Sequence, residues 1–214
     1  MDLFHPLLNA YSEQFTTPHE AALEQIHQHT LATHPHAHML SSHVQGKFLE
    51  FLSWMQQPKY ILEIGTFTGY SAICLAKGLA EGGELHTIEL REEDANTALK
   101  NFQAVKMDKK IHLHTGNALD IIPTLNYEWD LVFIDADKTG YTAYYNMVLP
   151  RLSRKGLIIA DNVLFHGEVL EENIKGKSAK AIQAFNEYVA NDDTTQQVLV
   201  TLRDGLLLIK KNIQ

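Results

Sequence analysis

The sequence predicts an α/β domain built on a mostly parallel, doubly wound sheet. From residue 58 onward, short apolar segments alternate with amphipathic ones, which is the pattern of βαβ units around a parallel sheet. Near the end of the chain, two apolar segments flank Arg203-Asp204-Gly205, and Asp-Gly between apolar runs indicates a hairpin. The last two strands should therefore be antiparallel neighbours.

The elements follow in order along a single predicted domain, residues 1–214. Residues 1–57 predict helices near 6–15, 18–33 and 42–56, which we interpret as a cap over the ligand edge of the sheet. Residues 58–214 form the predicted α/β core. Its strands are predicted near 60–64, 84–89, 111–115, 130–135, 156–160, 198–202 and 206–210. Its helices are predicted near 69–80, 91–106, 117–123, 140–152 and 178–190, each packing an apolar face on the sheet.

Composition limits the class of protein. A chain of 214 residues with 45% hydrophobic content buries about 70% of its unfolded surface and needs no disulfide. The single cysteine, Cys74, excludes an internal disulfide and a multi-thiolate zinc site; we expect it to be a small buried apolar side chain. No export signal and no membrane-spanning run are found, so we expect a cytoplasmic protein without a membrane partner. The net charge of −8 disfavours a nucleic-acid partner and favours small molecules.

Acidic and amide side chains follow two apolar strand segments. Asp135 comes directly after Leu131–Ile134, and Asp161 and Asn162 come directly after Leu157–Ala160. Because parallel strands place their carboxyl ends at one edge of a sheet, these side chains should converge there. Three hard oxygen ligands with room for water or substrate suit Mg²⁺ better than a soft metal, although Mn²⁺ and Ca²⁺ remain open.

A glycine turn, Gly65–Gly69, follows the first predicted strand and should let backbone N–H groups approach a ligand closely. Its glycines are separated by three residues, which differs from the Gly-x-Gly-x-x-Gly spacing of nicotinamide enzymes. Glu89 ends the next strand, where it either accepts hydrogen bonds from ribose hydroxyls or is merely solvated. Glu63 lies in an apolar strand, where a cationic ligand would help its carboxylate, and Ser71 is either a helix cap or a ligand contact.

These segments resemble the cation-dependent class I S-adenosylmethionine-dependent O-methyltransferases of the caffeoyl-CoA and catechol type. The resemblance runs from about residue 39 to residue 210. Four segments carry it in order: Leu62–Ser71, Asp130–Lys138 with Tyr141 and Tyr144-Tyr145, Asp161–Leu164, and Asp204–Leu206. It implies a Rossmann-like methyltransferase fold with a seven-stranded sheet, and a homodimer.

The resemblance also implies roles for individual residues. The methyl donor, S-adenosylmethionine, would be bound by Met39, Ser41, Glu63, Gly65, Ser71, Glu89, Ala118 and Asp137. The divalent cation would be held by Asp135, Asp161 and Asn162. Lys138 would face the hydroxyl of a small phenolic acceptor as general base, with its pKa lowered by the adjacent cation. The alternative for Lys138 is a surface lysine paired with Asp137.

The chain departs from the family pattern at three positions. The family often has valine where Ser41 stands, usually has Asp where Asn117 stands, and commonly has Trp where Phe165 stands. The first two positions bear on contacts with the donor, and the third bears on the shape of the acceptor pocket. Because loops at strand ends line the crevice of such sheets, we expect Phe165 and His166 to contact substrate.

Two further groups of residues are interpreted as structural. The histidines between positions 27 and 43 match no fixed metal-ligand spacing, and Pro35 interrupts their helix, so we expect a solvated segment that partly borders the acceptor pocket. Tyr141, Tyr144 and Tyr145 have helical spacing and should pack in the core or at a subunit interface.

The favoured function is a Mg²⁺-dependent O-methyltransferase acting on small catechol-like phenols or their conjugates. An RNA methyltransferase would need a basic face, which the acidic composition disfavours. A nicotinamide oxidoreductase fits the sheet but not the glycine spacing. A non-catalytic protein that retains the fold stays open, although Asp135, Lys138, Asp161 and Asn162 occurring together argue for catalysis.

Overall fold

The structure, a computed structural model, describes residues 7–212. The strands in this range are β1 (Tyr60–Ile64), β2 (Glu84–Glu89), β3 (Ile111–Thr115), β4 (Trp129–Ile134), β5 (Leu152–Asp161), β6 (Thr195–Val200) and β7 (Leu206–Lys211). The α-helices are α1 (Leu8–Gln14), α2 (Ala21–Thr33), α3 (His43–Gln56), α4 (Tyr70–Ala76), α5 (Glu92–Ala104), α6 (Ala118–Ile121), α7 (Tyr141–Val148) and α8 (Lys177–Ala190). The predicted start of the first helix, at residue 6, lies outside the described residues.

The strands form one seven-stranded sheet in the order β3-β2-β1-β4-β5-β7-β6. Strands β1 to β5 are parallel to one another, whereas β7 is antiparallel to both β5 and β6. The predicted α/β class, the mostly parallel sheet and the antiparallel C-terminal hairpin are thus confirmed. The chain runs outward from β1 to β3 and then returns to place β4 on the other side of β1. Such a reversal opens a crevice at the carboxyl ends of β1 and β4.

Both faces of the sheet are covered by helices. Along β4, Leu131 and Phe133 pack on one face, while Val132 and Ile134 pack on the other, because alternate strand residues point in opposite directions. The first face is covered by residues from α3, α4 and α5, and the second by residues from α7 and α8. Tyr141, Tyr144 and Tyr145 are buried in this second layer, in agreement with their predicted packing.

Tertiary contacts and prolines shorten three predicted helices. The helix predicted to reach residue 80 ends at Ala76, where Ser53 of α3 donates a 2.6 Å hydrogen bond to the Leu75 carbonyl. The helix predicted over 140–152 ends at Val148 and continues as a 3₁₀ turn that contains Pro150. Pro123 similarly converts the end of the predicted 117–123 helix into a 3₁₀ turn, because proline lacks the N–H that an α-helix requires.

Two predicted strands also have different bounds. Strand β5 begins at Leu152 rather than near residue 156, because Leu152 pairs with Trp129 before an irregularity in the ladder. Strand β6 covers Thr195–Val200 rather than 198–202, and five residues, 201–205, connect it to β7. The connection is therefore longer than the three residues, 203–205, that lie between the predicted strands. It contains left-handed conformations at Arg203 (φ 52°) and Gly205 (φ 83°).

The N-terminal helices lie beside the crevice. Ser42 caps α3 by accepting a 3.3 Å hydrogen bond from the Gln45 N–H, and α3 packs along α4. Ser12 of α1 and Met39, in the segment after α2, line the crevice together with the strand ends. None of the helices in residues 7–212 is both long and apolar enough to cross a membrane.

Candidate active site

A cleft of about 1640 Å³ opens at the carboxyl ends of the parallel strands. Its walls include Gly65 after β1, Glu89 at the end of β2, Asp135 after β4 and Asn162 after β5. Side chains from the N-terminal helices and from the segment after β5 complete it. The topology thus gathers into one cleft the glycine loop and most of the acidic strand ends that the sequence predicted.

The glycine loop requires glycine at two positions. Gly65 has a φ of +102°, and a Cβ there would overlap the Asp135 carbonyl oxygen. Gly69 has a φ of +86° at the N-cap of α4, where a Cβ would overlap the Phe102 ring. Side chains would therefore be strained by conformation and by contact. The consequence is that the loop stays close to β4 and leaves the cleft open.

Glu89 is buried at the cleft wall, with only 6% of its surface exposed. Its two carboxylate oxygens accept backbone hydrogen bonds from Phe67 N–H at 2.7 Å and from Arg91 N–H at 3.0 Å. A solvated strand-end glutamate is therefore the wrong interpretation. A carboxylate offers about four acceptor positions, so Glu89 is held rigidly and can still accept hydroxyl donors from the cleft.

Asn117, which stands where the family usually has Asp, caps helix α6. Its side-chain oxygen accepts a 3.1 Å hydrogen bond from Leu119 N–H. Ala118, the first residue of α6, is nearly buried and lines the cleft next to Asn117. Asn and Asp are both good N-cap residues, so Asn117 caps the helix as an Asp at this position would.

Glu63 is completely buried behind the cleft wall. Ser71 donates to it at 2.6 Å and Thr87 at 2.5 Å, and Ser71 itself lines the cleft. Burial raises the pKa of Glu63 to about 8, against the two hydroxyl hydrogen bonds that lower it. Glu63 can thus act on a ligand through Ser71. Because Gly69 occupies the N-cap and Ser71 bonds Glu63, the capping interpretation of Ser71 is wrong.

The remaining predicted donor-site residues border the cleft from two sides. Met39 is half-exposed, whereas Ser41 is buried and its carbonyl lies 3.2 Å from His27 Nε2. On the opposite side, Asp137 accepts hydrogen bonds from the Tyr144 hydroxyl and, at 3.0 Å, from the Thr139 hydroxyl. All three predicted residues, Met39, Ser41 and Asp137, line the cleft.

Two of the three predicted metal ligands, Asp135 and Asn162, bond the ammonium group of Lys138. Lys138 Nζ donates to Asp135 Oδ1 at 2.9 Å and to Asn162 Oδ1 at 2.8 Å. Asp161 is fully buried next to them, and its Oδ1 accepts the Asn162 N–H at 2.7 Å. Burial and the charge of Asp135 raise the pKa of Asp161 to about 7. The oxygens of Asp135 and Asn162 therefore already converge on one positive group, and this donor set fits a hard divalent cation.

Lys138 is not the surface lysine of the alternative interpretation. It is mostly buried and bonds Asp135 and the Tyr141 hydroxyl, the latter at 2.7 Å, so the pairing with Asp137 at the surface is wrong. Burial alone would lower the pKa of Lys138, but the Asp135 carboxylate and the contact with Tyr141 raise it above its ordinary value. The protein groups by themselves therefore hold Lys138 as an ammonium ion.

Sequence reasoning missed Gln45 and Arg203. Gln45, on α3, is fully buried and donates from its amide to Asp161 Oδ2 at 2.5 Å. Its amide oxygen accepts a 3.2 Å hydrogen bond from Arg203, which also bonds the His38 carbonyl at 3.0 Å. Gln45 and Asp161 are 116 positions apart, and no local pattern connects them. Only the tertiary fold could reveal this contact.

Tyr141 does more than pack in the core. Its hydroxyl accepts from Lys138 and donates to the Asp161 carbonyl at 3.0 Å. Its position three residues after Lys138 is a spacing that brings side chains together on a helix, and that spacing could have indicated the contact.

The segment after β5 and the histidine-rich segment border the cleft in part. Phe165 and His166 line it, and both have left-handed backbone conformations. In the histidine-rich segment the solvated interpretation is only partly right. His27 is buried, and His34 lies 2.9 Å from the Asp94 carboxylate.

Comparisons with known proteins agree with this geometry. A family model described as O-methyltransferase matches residues 12–212. A catechol O-methyltransferase of Niastella koreensis is 41% identical over 174 residues, 77% of this chain and 78% of that protein. A Dictyostelium discoideum protein named "Probable caffeoyl-CoA O-methyltransferase 2" is 33% identical over 179 residues, 81% of this chain and 78% of that protein. The crystal structure of an O-methyltransferase from Bacillus cereus in complex with SAH has a TM-score of 0.88 and 31% identity, covering 96% of this chain and 97% of that one.

The sheet topology and the cleft thus define an S-adenosylmethionine-dependent methyltransferase with a Rossmann-like core. The chain belongs to the O-methyltransferase family, as its resemblance to that family implied. Its type is that of the catechol and caffeoyl-CoA enzymes. Neither a nicotinamide oxidoreductase nor a non-catalytic scaffold agrees with this membership.

The raised pKa of Glu63 generates a prediction about stability and pH. The folded protein keeps a proton on Glu63 up to about pH 8, whereas the unfolded chain releases it near 4.5. The free energy of unfolding should therefore fall as pH rises between these values, by at most about 1.4 kcal/mol per pH unit for this proton. Glu63→Gln should flatten the decline, most visibly above pH 7, where Asp161 contributes less. Urea unfolding across this range measures the slope.

Glu93→Gln, at an exposed position of α5, is the matched control and should keep the wild-type slope. A Glu63→Gln slope equal to that of the wild type would show that Glu63 is ionised in the folded protein at neutral pH.

Proposed function

We propose that the protein transfers the methyl group of S-adenosylmethionine to a hydroxyl of a small, catechol-like phenol chelated by a divalent cation. The observation that carries this proposal is the convergence of Asp135, Asn162 and Lys138 at the cleft, directly beside the Gly65 loop. The similarity to proteins named for catechol and for caffeoyl-CoA supports the acceptor class.

The donor would be held by Met39, Ser41, Gly65, Ser71, Glu89, Ala118 and Asp137, with Glu63 supporting Ser71 from behind. When bound, the donor supplies a methyl group on a positively charged sulfur. Glu89 is the best-defined contact, because both of its oxygens are already fixed by backbone N–H groups. Such a preorganised acceptor binds ribose hydroxyls without first losing side-chain freedom.

Asp135, Asp161 and Asn162 would hold the cation, with Mg²⁺ as the best match for an all-oxygen set. A bound cation supplies positive charge that stabilises the oxyanion of a phenol, whose ordinary pKa is about 10. Three protein oxygens would leave other coordination positions of the cation open. Two adjacent hydroxyls of one acceptor can fill two of these positions, so the site favours a vicinal diphenol. Gln45 orients Asp161 through its 2.5 Å hydrogen bond and thus acts as a positioning residue.

Lys138 would accept the proton of the acceptor hydroxyl at Nζ. Tyr141 orients its ammonium group, and Asp135 is the strongest of the groups that raise its pKa. Lys138 therefore becomes a base only when the charge of Asp135 is neutralised by something other than Lys138 itself. The proposal thus makes the metal ligand Asp135 and the base Lys138 interdependent.

The assignment of Glu89 is tested by donor binding. Glu89→Ala should weaken the binding of S-adenosylmethionine by at least about tenfold, because each hydrogen bond to a charged acceptor contributes roughly 1.5–3 kcal/mol. Isothermal titration calorimetry measures the dissociation constant. Glu93→Ala, at an exposed position four residues away, should bind normally, and an unchanged constant in Glu89→Ala would remove Glu89 from the donor site.

The assignment of Lys138 is tested by turnover. Lys138→Met should bind donor but lose about 10²–10⁴ in kcat with a catechol acceptor, the range typical of a positioned base. Lys138→Arg should lose a comparable amount, because a guanidinium keeps the charge but does not release its proton. Lys109→Met, an exposed lysine, serves as the control. If Lys138→Arg keeps wild-type turnover, the group supplies only positive charge.

The cation requirement is tested by separating binding from transfer. A chelator should abolish methyl transfer to catechol and added Mg²⁺ should restore it, because the acceptor oxyanion loses its stabilising charge. Donor affinity should change little. Asp161→Asn should reproduce the effect of the chelator, whereas exposed Asp193→Asn should not. Full activity in the chelated enzyme would establish a metal-independent methyltransferase.

A further inference from the structure

A second cluster of potential metal ligands lies at the opposite end of the sheet. It consists of Glu84 and His86 on β2 and His112 on β3. His86 and His112 are direct partners in the parallel ladder, and Glu84 precedes His86 by two residues, so all three point to one face. One nitrogen of each imidazole and one oxygen of Glu84 lie within 4.8 Å of one another.

The two imidazole nitrogens that face Glu84 have no hydrogen-bond partner. His86 is 5% exposed, and its Nε2 is buried. His112 Nε2 is also shielded from solvent, although its ring is partly exposed. Their distances to the Glu84 carboxylate are 3.5 Å and 3.7 Å, and neither contact is a hydrogen bond. Buried polar atoms without a well-formed hydrogen bond are rare, and these two nitrogens have only long contacts with Glu84, so the three groups are arranged to accept a common partner.

The surroundings of His86 present its Nε2 as an electron-pair donor. His86 Nδ1 lies 3.0 Å from His114 Nε2, and when Nδ1 carries the proton of this hydrogen bond, Nε2 carries a lone pair. The Tyr127 ring packs against His86 at 4.4 Å between centroids and restrains its orientation. A hydrogen bond to the second nitrogen is how proteins fix the tautomer of a metal-binding histidine.

We propose that Glu84, His86 and His112 form a second metal site that binds a borderline transition-metal ion, with Zn²⁺ as the expected occupant. Two imidazoles and one carboxylate are a zinc ligand set with one position open for water. The side chains of Glu84 and His112 are 40% and 42% exposed. Both can therefore move the short distance needed to place their ligand atoms about 2.0–2.2 Å from a zinc ion.

This site is separate from the cleft in position and in chemistry. Glu84 begins β2 and Glu89 ends it, so the two sites are roughly 17 Å apart at about 3.3 Å per residue. The proposed cation ligands of the cleft, Asp135, Asp161 and Asn162, are all oxygens and suit a hard cation, whereas imidazole nitrogens select zinc-like metals. The proposal therefore stands independently of the proposed methyl transfer.

Metal binding here would stabilise an edge of the sheet. Strand β3 is the outermost strand and pairs only with β2 within the described sheet. A metal ion bound by β2 and β3 together would hold the edge strand in place. Because a ligand that binds only the folded state stabilises it, the metal ion would raise the free energy of unfolding.

The experiment is a calorimetric Zn²⁺ titration of metal-stripped protein in excess Mg²⁺, which saturates oxygen ligands. The wild type should bind one equivalent of Zn²⁺ and unfold at a higher temperature with it. His112→Ala and Glu84→Gln, both at partly exposed positions, should each weaken binding by at least about tenfold, because even an outer-shell partner contributes about 10–100-fold to metal affinity. Both variants should lose the thermal shift while keeping the zinc-free unfolding temperature.

Exposed His29→Ala is the matched histidine control and should bind zinc like the wild type. Asp161→Asn should also bind normally, which separates this site from the cleft. His114→Ala should weaken binding by about 10–100-fold if it orients His86. The proposal is overturned by the absence of a saturable zinc event, by His112→Ala binding within tenfold of the wild type, or by Asp161→Asn abolishing the event.

Discussion

The close approach of Gly65 to the Asp135 backbone is the constraint on which the cleft depends. Asp135 N–H donates to the Ile64 carbonyl at 2.8 Å, and a Cβ on Gly65 would overlap the Asp135 carbonyl oxygen. With glycine at this position, β1 and β4 stay paired up to their last residues. The loop at Gly65 is thereby placed beside Lys138 and Asn162. A donor bound at the Gly65 loop and an acceptor bound beside Lys138 and Asn162 would be held next to each other by the backbone. Holding two reactants in the right geometry can account for a large part of a rate enhancement.

A chain of mostly buried polar contacts, with exposed Arg203 at its outer end, attaches distant elements to this point. Arg203, in the turn before β7, bonds Gln45 on α3, and Gln45 bonds Asp161 at the end of β5. The Tyr141 hydroxyl joins the Asp161 carbonyl to Lys138. Buried networks of this kind are stabilising only when all members are satisfied. The N-terminal helices and the C-terminal hairpin therefore hold the strand ends in one arrangement, even though neither supplies a proposed metal ligand.

The sequence predicts where the strands end, but it does not predict which distant positions are in contact. Apolar runs followed by Asp135 and Asp161 were sufficient to predict the edge where both lie, because parallel strands align their carboxyl ends. The alternative pairing of Lys138 with Asp137 is wrong, because Asp135 and Asp137 are both close to Lys138 in sequence and only packing decides between them. At the end of α4, the hydrogen bond from Ser53 to the Leu75 carbonyl comes from another helix, which local propensity cannot include. The pairing of His86 with His112 follows from the register of β2 and β3, and that register is not determined by either strand alone.

Two buried acids near the cleft avoid an uncompensated charge in different ways. Burial raises the pKa of Glu63 to about 8, so its protonated form predominates at neutral pH, and the side chain receives two hydroxyl hydrogen bonds. Asp161, with a pKa of about 7, is poised between its two forms, next to the charged Asp135. Ionising Asp161 beside Asp135 is unfavourable unless positive charge is added, since like charges in a buried site repel strongly. Lys138 supplies one such charge but bonds Asp135 rather than Asp161. The proposed divalent cation would supply that further positive charge beside Asp135 and Asp161, at the place where the proposed mechanism removes the proton of the acceptor hydroxyl.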